Sequence, residues 1–181
     1  MYSLAVVKNF KLLSVYNQRL NKQLLDCCSS MSKELLEKES HSFFPNIISY
    51  WNHILFGDLI LLRRLADNNI AGLTLEDLAG LPKAQAPNDM YCATISEIST
   101  YRKKVDNIII RYCESLTDSM CDQVICYQTT EGDNVEQYVG VITQHMFNHQ
   151  AHHRGQLTCV LSQFGVDYGC TDLPIIIADI K

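Results

Sequence analysis

The segment His145-Met-Phe-Asn-His149-Gln-Ala-His152-His153-Arg-Gly-Gln156 carries four of the chain's six histidines within an otherwise apolar C-terminal region. On a helix, residues four apart are neighbours with Cβ atoms about 6 Å apart, so two imidazoles at that spacing can share one metal ion. Two such pairs are available, His145/His149 and His149/His153. The apolar residues around them, Val139, Ile142, Met146, Leu157, Val160, Leu161 and Phe164, decide between the pairs. Projected at about 100° per residue they define one direction; His153 lies roughly 20° from it and His149 roughly 60°, whereas His145 and His152 lie roughly 100° and 120° away. The core face therefore selects His149 and His153. Two adjacent imidazoles turned into a core need hydrogen-bond partners or a shared cation, because each polar nitrogen left unpaired costs on the order of 1–3 kcal/mol. Position 150 is Gln, so the general base of an H-E-x-x-H zinc protease is missing. A catalytic site would take a third ligand from elsewhere in the chain, with His53 available and His41 behind it.

Working outward, this helix is expected from about Glu136 to about Phe164, ended by Gly165. Before it, Val124 to Tyr127 reads as a strand, Glu131-Gly132-Asp133 as a turn, and Val135 to Tyr138 as a short return strand or the lead into the helix. A third helix is expected from about Met90 to about Leu116, with Ile95, Ile98, Val105, Ile108, Ile109 and Tyr112 on its buried face. Asn68 to Asn88 is broken by Gly72, Gly80, Pro82 and Pro87 and reads as a long surface connection with one turn at Leu75 to Leu78; loops of that length often serve as lids. The second helix, from Pro45 in its first turn to about Asp67, is apolar on nearly every side, which predicts burial in the middle of the fold or in a subunit contact. His53 lies off its main stripe, beside Phe56 and Ile60, and spacing by itself predicts only a hydrogen-bonded core histidine there. The first helix runs from about Leu4 to about Met31; Tyr16-Asn17 and Asn21 interrupt its apolar stripe, marking either a liganded or wet cavity or, more simply, an exposed turn. Between these two helices Ser32 is placed to cap a turn over Lys33 to Lys38.

At 181 residues the chain has the size of one domain, 1–181, with 47% apolar and 19% charged residues. The net charge of -5 and the lack of a basic stripe speak against nucleic-acid binding. The eight cysteines form no C-x-x-C pair and read as free buried thiols. Lys8 and Lys11 interrupt any N-terminal apolar run, and no stretch approaches the roughly 18 uncharged residues of a membrane span, so a cytoplasmic protein with no membrane contact is expected.

Asn148-His149-Gln-Ala-His152-His153-Arg154-Gly155-Gln156, with Leu161-Ser-Gln-Phe-Gly165-Val-Asp167 and Thr171-Asp172-Leu173-Pro174 after it, closely resembles the C-terminal signature of the DinB/YfiT superfamily. The resemblance extends in order to Tyr16-Asn17 and Asn21, to Asn52-His53-Ile-Leu-Phe-Gly-Asp58, and to Thr130-Glu-Gly132, and so covers essentially the whole chain. It implies an all-α four-helix bundle with up-down-down-up connections, one long crossover falling on Asn68 to Asn88, and a small β-hairpin or extended segment before the last helix. It also implies a mononuclear three-histidine metal site mapping onto His53, His149 and His153, which agrees with the helix projection for the last two and goes beyond spacing for His53. Imidazole donors suit Zn²⁺, Ni²⁺ or Fe²⁺ alike. Homodimers and thiol-dependent transferases and isomerases occur in the superfamily, so a small-molecule substrate, a low-molecular-weight thiol and a homodimer are expected, with the second helix and the tail from Leu173 to Ile180 as contact surfaces. The superfamily is named for a DNA-damage-inducible gene, which implies no polymerase activity. The alternative is a non-catalytic, stress-related bundle that binds a metal or small ligand. Asp58, Tyr16 and Gln156 are candidates for lining the pocket, and Arg154, off the core face, is expected in a salt bridge.

Overall fold

The computed structural model describes residues 6–180. It is mostly helical, with a small two-stranded antiparallel sheet. Helix α1 spans Val6–Ser29, α2 Lys33–Leu36, α3 Ile47–Asp67, α4 Ile95–Ser115 and α5 Asp118–Cys121; strands β1 (Val124–Gln128) and β2 (Asn134–Tyr138) lead into α6 (Val139–Gln163), and a short α7 covers Leu173–Ile176. The four long helices contact one another in a ring, α1 against α4, α4 against α3, α3 against α6 and α6 against α1.

Each long helix begins where a side chain can satisfy its free N–H groups or where the preceding chain is otherwise engaged. The expected start of α1 at Leu4 lies outside the described residues, and its end at Ser29 is two residues earlier than Met31. Helix α3 starts at Ile47, not at Pro45, because Asn46 is its cap: the side-chain oxygen accepts from Ser49 N at 2.9 Å, while the Pro45 carbonyl is held by Ser40 N at 2.8 Å. Helix α4 starts at Ile95, five residues later than expected, where Thr94 and Glu97 form a reciprocal capping box. The start of α6 at Val139 follows from strand pairing, since Glu136 and its neighbours are hydrogen-bonded across the hairpin in the register Val124↔Tyr138 to Gln128↔Asn134. Ser32 caps α2 as expected, through Leu35 N. Helices α5 and α7, of four residues each, are too short for their periodicity to be read in advance.

The apolar excess of α3 is used within the chain, where 15 of its 21 residues are buried, among them Trp51, Ile54, Leu62 and Leu65 at 0% exposure. The connection between α3 and α4 contains a single 3-10 turn at Ile70–Gly72 and a hydrogen-bonded turn from Thr74 to Ala79, then runs back along α3 to Thr94. Asn52 ties that return segment down: its side-chain oxygen accepts from Tyr91 N at 2.8 Å and Cys92 N at 2.9 Å, and its amide donates to the carbonyls of Ile48 and Cys92. All eight cysteines are free, but only Cys28, Cys92, Cys113 and Cys121 are buried; Cys27 is half-buried and Cys126, Cys159 and Cys170 are exposed. No helix among the described residues is long and apolar enough to cross a membrane.

Candidate metal centre

Helices α3 and α6 pack side by side and bring His53, His149 and His153 together as the group that could hold a metal ion. The Nε2 atom of His53 lies 3.1 Å from that of His153 and 3.2 Å from that of His149. Three nitrogens bound to one ion at about 2.05 Å stand about 2.9–3.3 Å apart, for angles between a right angle and the tetrahedral value, so the observed spacing suits a shared ion.

Two of the three rings have their tautomer fixed from behind. His53 Nδ1 is 2.9 Å from the Pro87 carbonyl, which can only accept, so the proton sits on Nδ1 and Nε2 presents a lone pair. His153 Nδ1 is likewise 2.8 Å from Gln156 Oε1, which turns its Nε2 lone pair toward the same point. Two lone pairs at 3.1 Å repel one another in the absence of a cation. His149 Nδ1 is buried with no hydrogen-bond partner, an orphan that costs on the order of 1–3 kcal/mol. The donor set therefore fits a divalent transition-metal ion.

Neighbouring groups close one side of the site. The Phe44 ring centroid is 4.5 Å from that of His53 and 5.7 Å from that of His153, and the Phe56 ring is 6.0 Å from His53. A Cβ on Gly57 would stand 2.2 Å from His149 Cε1, so only glycine leaves room for this ring against α3. Burial, joined by the charges of His153 and His53, pushes His149 down to about 3. His153 is lowered to about 4, also chiefly by burial, and burial lowers His53 against the opposing bond to Pro87. All three rings are consequently neutral near pH 7, the form that binds metal.

Other residues singled out by the sequence are placed more variously. His149 and His153 are half-buried, not fully enclosed, as is His53, which leaves the centre an approach from solvent. His145 and His152 are exposed and flank the group, their ring centroids 6.0 Å from His149 and 4.8 Å from His153. His41 is exposed on a left-handed turn with φ of 51° and takes no part. Gln156 reaches the group through His153 Nδ1, whereas Tyr16 donates to the Thr171 carbonyl at 2.8 Å.

Asn17 and Asn21 overturn the simpler expectation of an exposed turn: they are 2% and 0% exposed. Arg154 overturns the expectation of a salt bridge. It is buried at 3% exposure and its Nη1 bonds the neutral oxygens of Asn17, Asn21 (3.0 Å) and Gln150 (2.9 Å). Gln150 Nε2 in turn donates to both oxygens of Asp58, at 2.9 and 2.8 Å, and Asp58 pairs with Arg102. Arg102 also pairs with Asp106 at 3.0 Å, and Asn21 Nδ2 closes the circuit by donating to Asp106 at 3.0 Å and to Gln150 Oε1 at 3.0 Å. Burial raises the Asp58 carboxyl to about 6 against the pull of Arg102. Arg102 and Asp106 escaped the sequence reading; their one signal was an Arg and an Asp four apart on the apolar face of α4.

The chain is 24% identical over 163 residues to Protein DinB of Bacillus subtilis (strain 168), an alignment that covers 90% of each chain. No solved structure gives a significant match. The family model described as DinB family matches residues 6–178, and with so little of the sequence left outside that match, the chain belongs to the DinB family.

Proposed function

We propose that this protein is a metal-dependent enzyme in which His53, His149 and His153 hold one divalent ion, Zn²⁺, Ni²⁺ or Fe²⁺, and which acts on a small-molecule substrate with a low-molecular-weight thiol, as a transferase or isomerase. The observation that carries the reading is the convergence of three Nε2 atoms, two of them with lone pairs aimed inward by Pro87 and Gln156. A bound ion of this kind supplies Lewis acidity and lowers the pKa of a water or thiol at its open positions. The chain's own part is to hold neutral imidazoles in place: Pro87 and Gln156 set their tautomers, Gly57 clears the space for His149, and Phe44 shields His53 and His153 from water.

In this reading the four long helices form an up-down-down-up bundle, a single domain over residues 1–181, with the α3–α4 connection as its long crossover. A cytoplasmic homodimer is part of the proposal, with the partly exposed tail residues Ile175 and Ile180 as its contact, since α3 is consumed by its own core. The test is a panel of low-molecular-weight thiols with electrophilic small molecules, run on metal-loaded protein. Metal-dependent turnover that disappears in His53→Ala and His153→Ala supports the enzyme. Tight metal binding with no turnover across the panel would replace it with the non-catalytic metal-binding reading.

A further inference from the structure

Helix α6 is buried along two edges at once. His149 and His153 face α3, while Gln150 and Arg154, the residues immediately after them, point into the circuit of Asn17, Asn21, Asp58, Arg102 and Asp106. At about 100° per residue each network residue stands about 100° around the helix from the histidine before it, so whatever fixes one edge fixes the other. Every long helix contributes to the circuit: α1 through Asn17 and Asn21, α3 through Asp58, α4 through Arg102 and Asp106, α6 through Gln150 and Arg154. Two buried carboxylates and two buried guanidiniums balance to zero; Asn21 and Gln150 carry hydrogen bonds between charges that do not touch, and Asn17 accepts from Arg154.

From this arrangement we infer that Gln150 and Arg154 are positioning residues for the metal centre: the Asp58–Gln150 bond and the bonds of Arg154 set the rotation of α6, and thereby aim His149 and His153 at His53. The inference rests on the metal-centre reading for its consequence, though not for its geometry. Asp58 follows His53 by five residues on α3, and Gln150 follows His149 by one on α6, so the bidentate contact locks the two ligand-bearing helices within about a turn and a half of the ligands. A rotation of α6 by about 10° carries an atom about 6 Å from its axis through about 1 Å, several times the roughly 0.2 Å latitude of a metal–nitrogen bond.

The amide orientation of Gln150 gives the test. Nε2 donates to Asp58 while Oε1 accepts from Asn21 and Arg154. Gln150→Glu sets a carboxylate against Asp58, whereas the double variant Asp58→Asn/Gln150→Glu restores a donor facing an acceptor and leaves the network's net charge unchanged. Two readouts are taken on tag-free protein: the affinity and visible ligand-field spectrum of added Co²⁺, and imidazole ¹⁵N NMR spectra of the metal-free protein. Ile95→Ala, at a buried core residue outside both the circuit and the histidine cluster, controls for general destabilisation. The inference predicts a Co²⁺ affinity about 10- to 100-fold lower in Gln150→Glu, an altered spectrum, shifted His149 and His153 resonances, and recovery of all three in the double variant but no such change in Ile95→Ala. Should Gln150→Glu fail to fold, the milder Arg154→Lys, set against wild type and Ile95→Ala, carries the same comparison. Wild-type spectra and resonances in Gln150→Glu, or loss matched by Ile95→Ala, would overturn it while leaving the metal centre standing. A wild-type protein that binds no Co²⁺ would instead defeat the metal reading, with the NMR comparison still deciding whether the network sets the histidines.

Discussion

Replacing Gly57 by alanine adds one methyl group and no charge, and it isolates the geometry of the centre. In a helix interior glycine is disfavoured relative to alanine by about 0.8–1.0 kcal/mol, so propensity alone would make Gly57→Ala stabilising. The new Cβ, however, would stand 2.2 Å from His149 Cε1, 2.5 Å from Nδ1 and 3.0 Å from Nε2. Ordinary carbon–carbon contact needs about 3.5 Å, so the ring must withdraw by about 1.3 Å. Because metal–nitrogen distances tolerate only about 0.2 Å, one of the three donors is lost. Loss of an outer partner of a ligand costs 10- to 100-fold in metal affinity, and loss of a ligand costs more, so a decrease of about 100-fold or greater is expected. The helix itself is spared. Circular dichroism should show unchanged helicity, and thermal unfolding of the metal-free protein should shift by only a few degrees, while competition against a chromophoric chelator reads the affinity. Wild-type affinity and stoichiometry in Gly57→Ala would refute the placement of His149 and with it the three-donor geometry.

Further expectations concern the supports of the centre. Gln156→Leu leaves His153 Nδ1 without its partner, so Zn²⁺ affinity should fall about 10- to 100-fold with the helix content unchanged; titration calorimetry measures it, and an unchanged affinity would mean that Gln156 does not orient the ring. Asn52→Ala orphans the buried N–H of Cys92 and the half-buried one of Tyr91, at about 1–3 kcal/mol each, and should both lower the denaturant midpoint and loosen the segment that delivers the Pro87 carbonyl. Thr94→Ala breaks the capping box of α4, whose bonds involve none of the three histidines, and should cost about 1 kcal/mol in denaturant unfolding without changing metal affinity. Acid should weaken the metal-free protein. His149 and His153 are held neutral in the fold, at about 3 and about 4 against an ordinary value of 6.5, so the unfolded chain takes up protons first as the pH drops. Their contribution to stability is full above about pH 6.5 and is lost progressively down to about pH 3; thermal melts of chelator-treated protein across that range check the sign, and stability rising toward acid would contradict it.

What could be read in the residues follows from the physics of each element. The order of the four long helices was legible because apolar spacing near a period of 3.6 is imposed by burial, whereas the hairpin was legible from the β-rich run Val124 to Tyr127 and the Glu131-Gly132-Asp133 turn, its alternation showing in burial more than in residue type. Helix starts were less so: Asn46 and Thr94 act through single hydrogen bonds, which compete poorly for notice beside Pro45 or Met90. The projection of α6 found His149 and His153 because both lean toward the apolar direction, but it misplaced Arg154, since one averaged direction cannot represent a helix buried along two edges. His53 was invisible to spacing and reached only through resemblance, because its partners are 96 and 100 residues away along the chain. Gly57 could not be valued from sequence at all; its role exists only in the approach of α6 to α3.

The central claim is that three histidines from two helices form one metal centre, and metal analysis tests it most directly. Protein made without a histidine tag, stripped by chelator and re-equilibrated with Zn²⁺, Ni²⁺ or Fe²⁺, should hold one ion per chain, by elemental analysis after gel filtration. The ion should be lost in each of His53→Ala, His149→Ala and His153→Ala but retained in His41→Ala and His145→Ala. Protein that stays metal-free, or that keeps its ion when His53, His149 or His153 is replaced, would contradict the account.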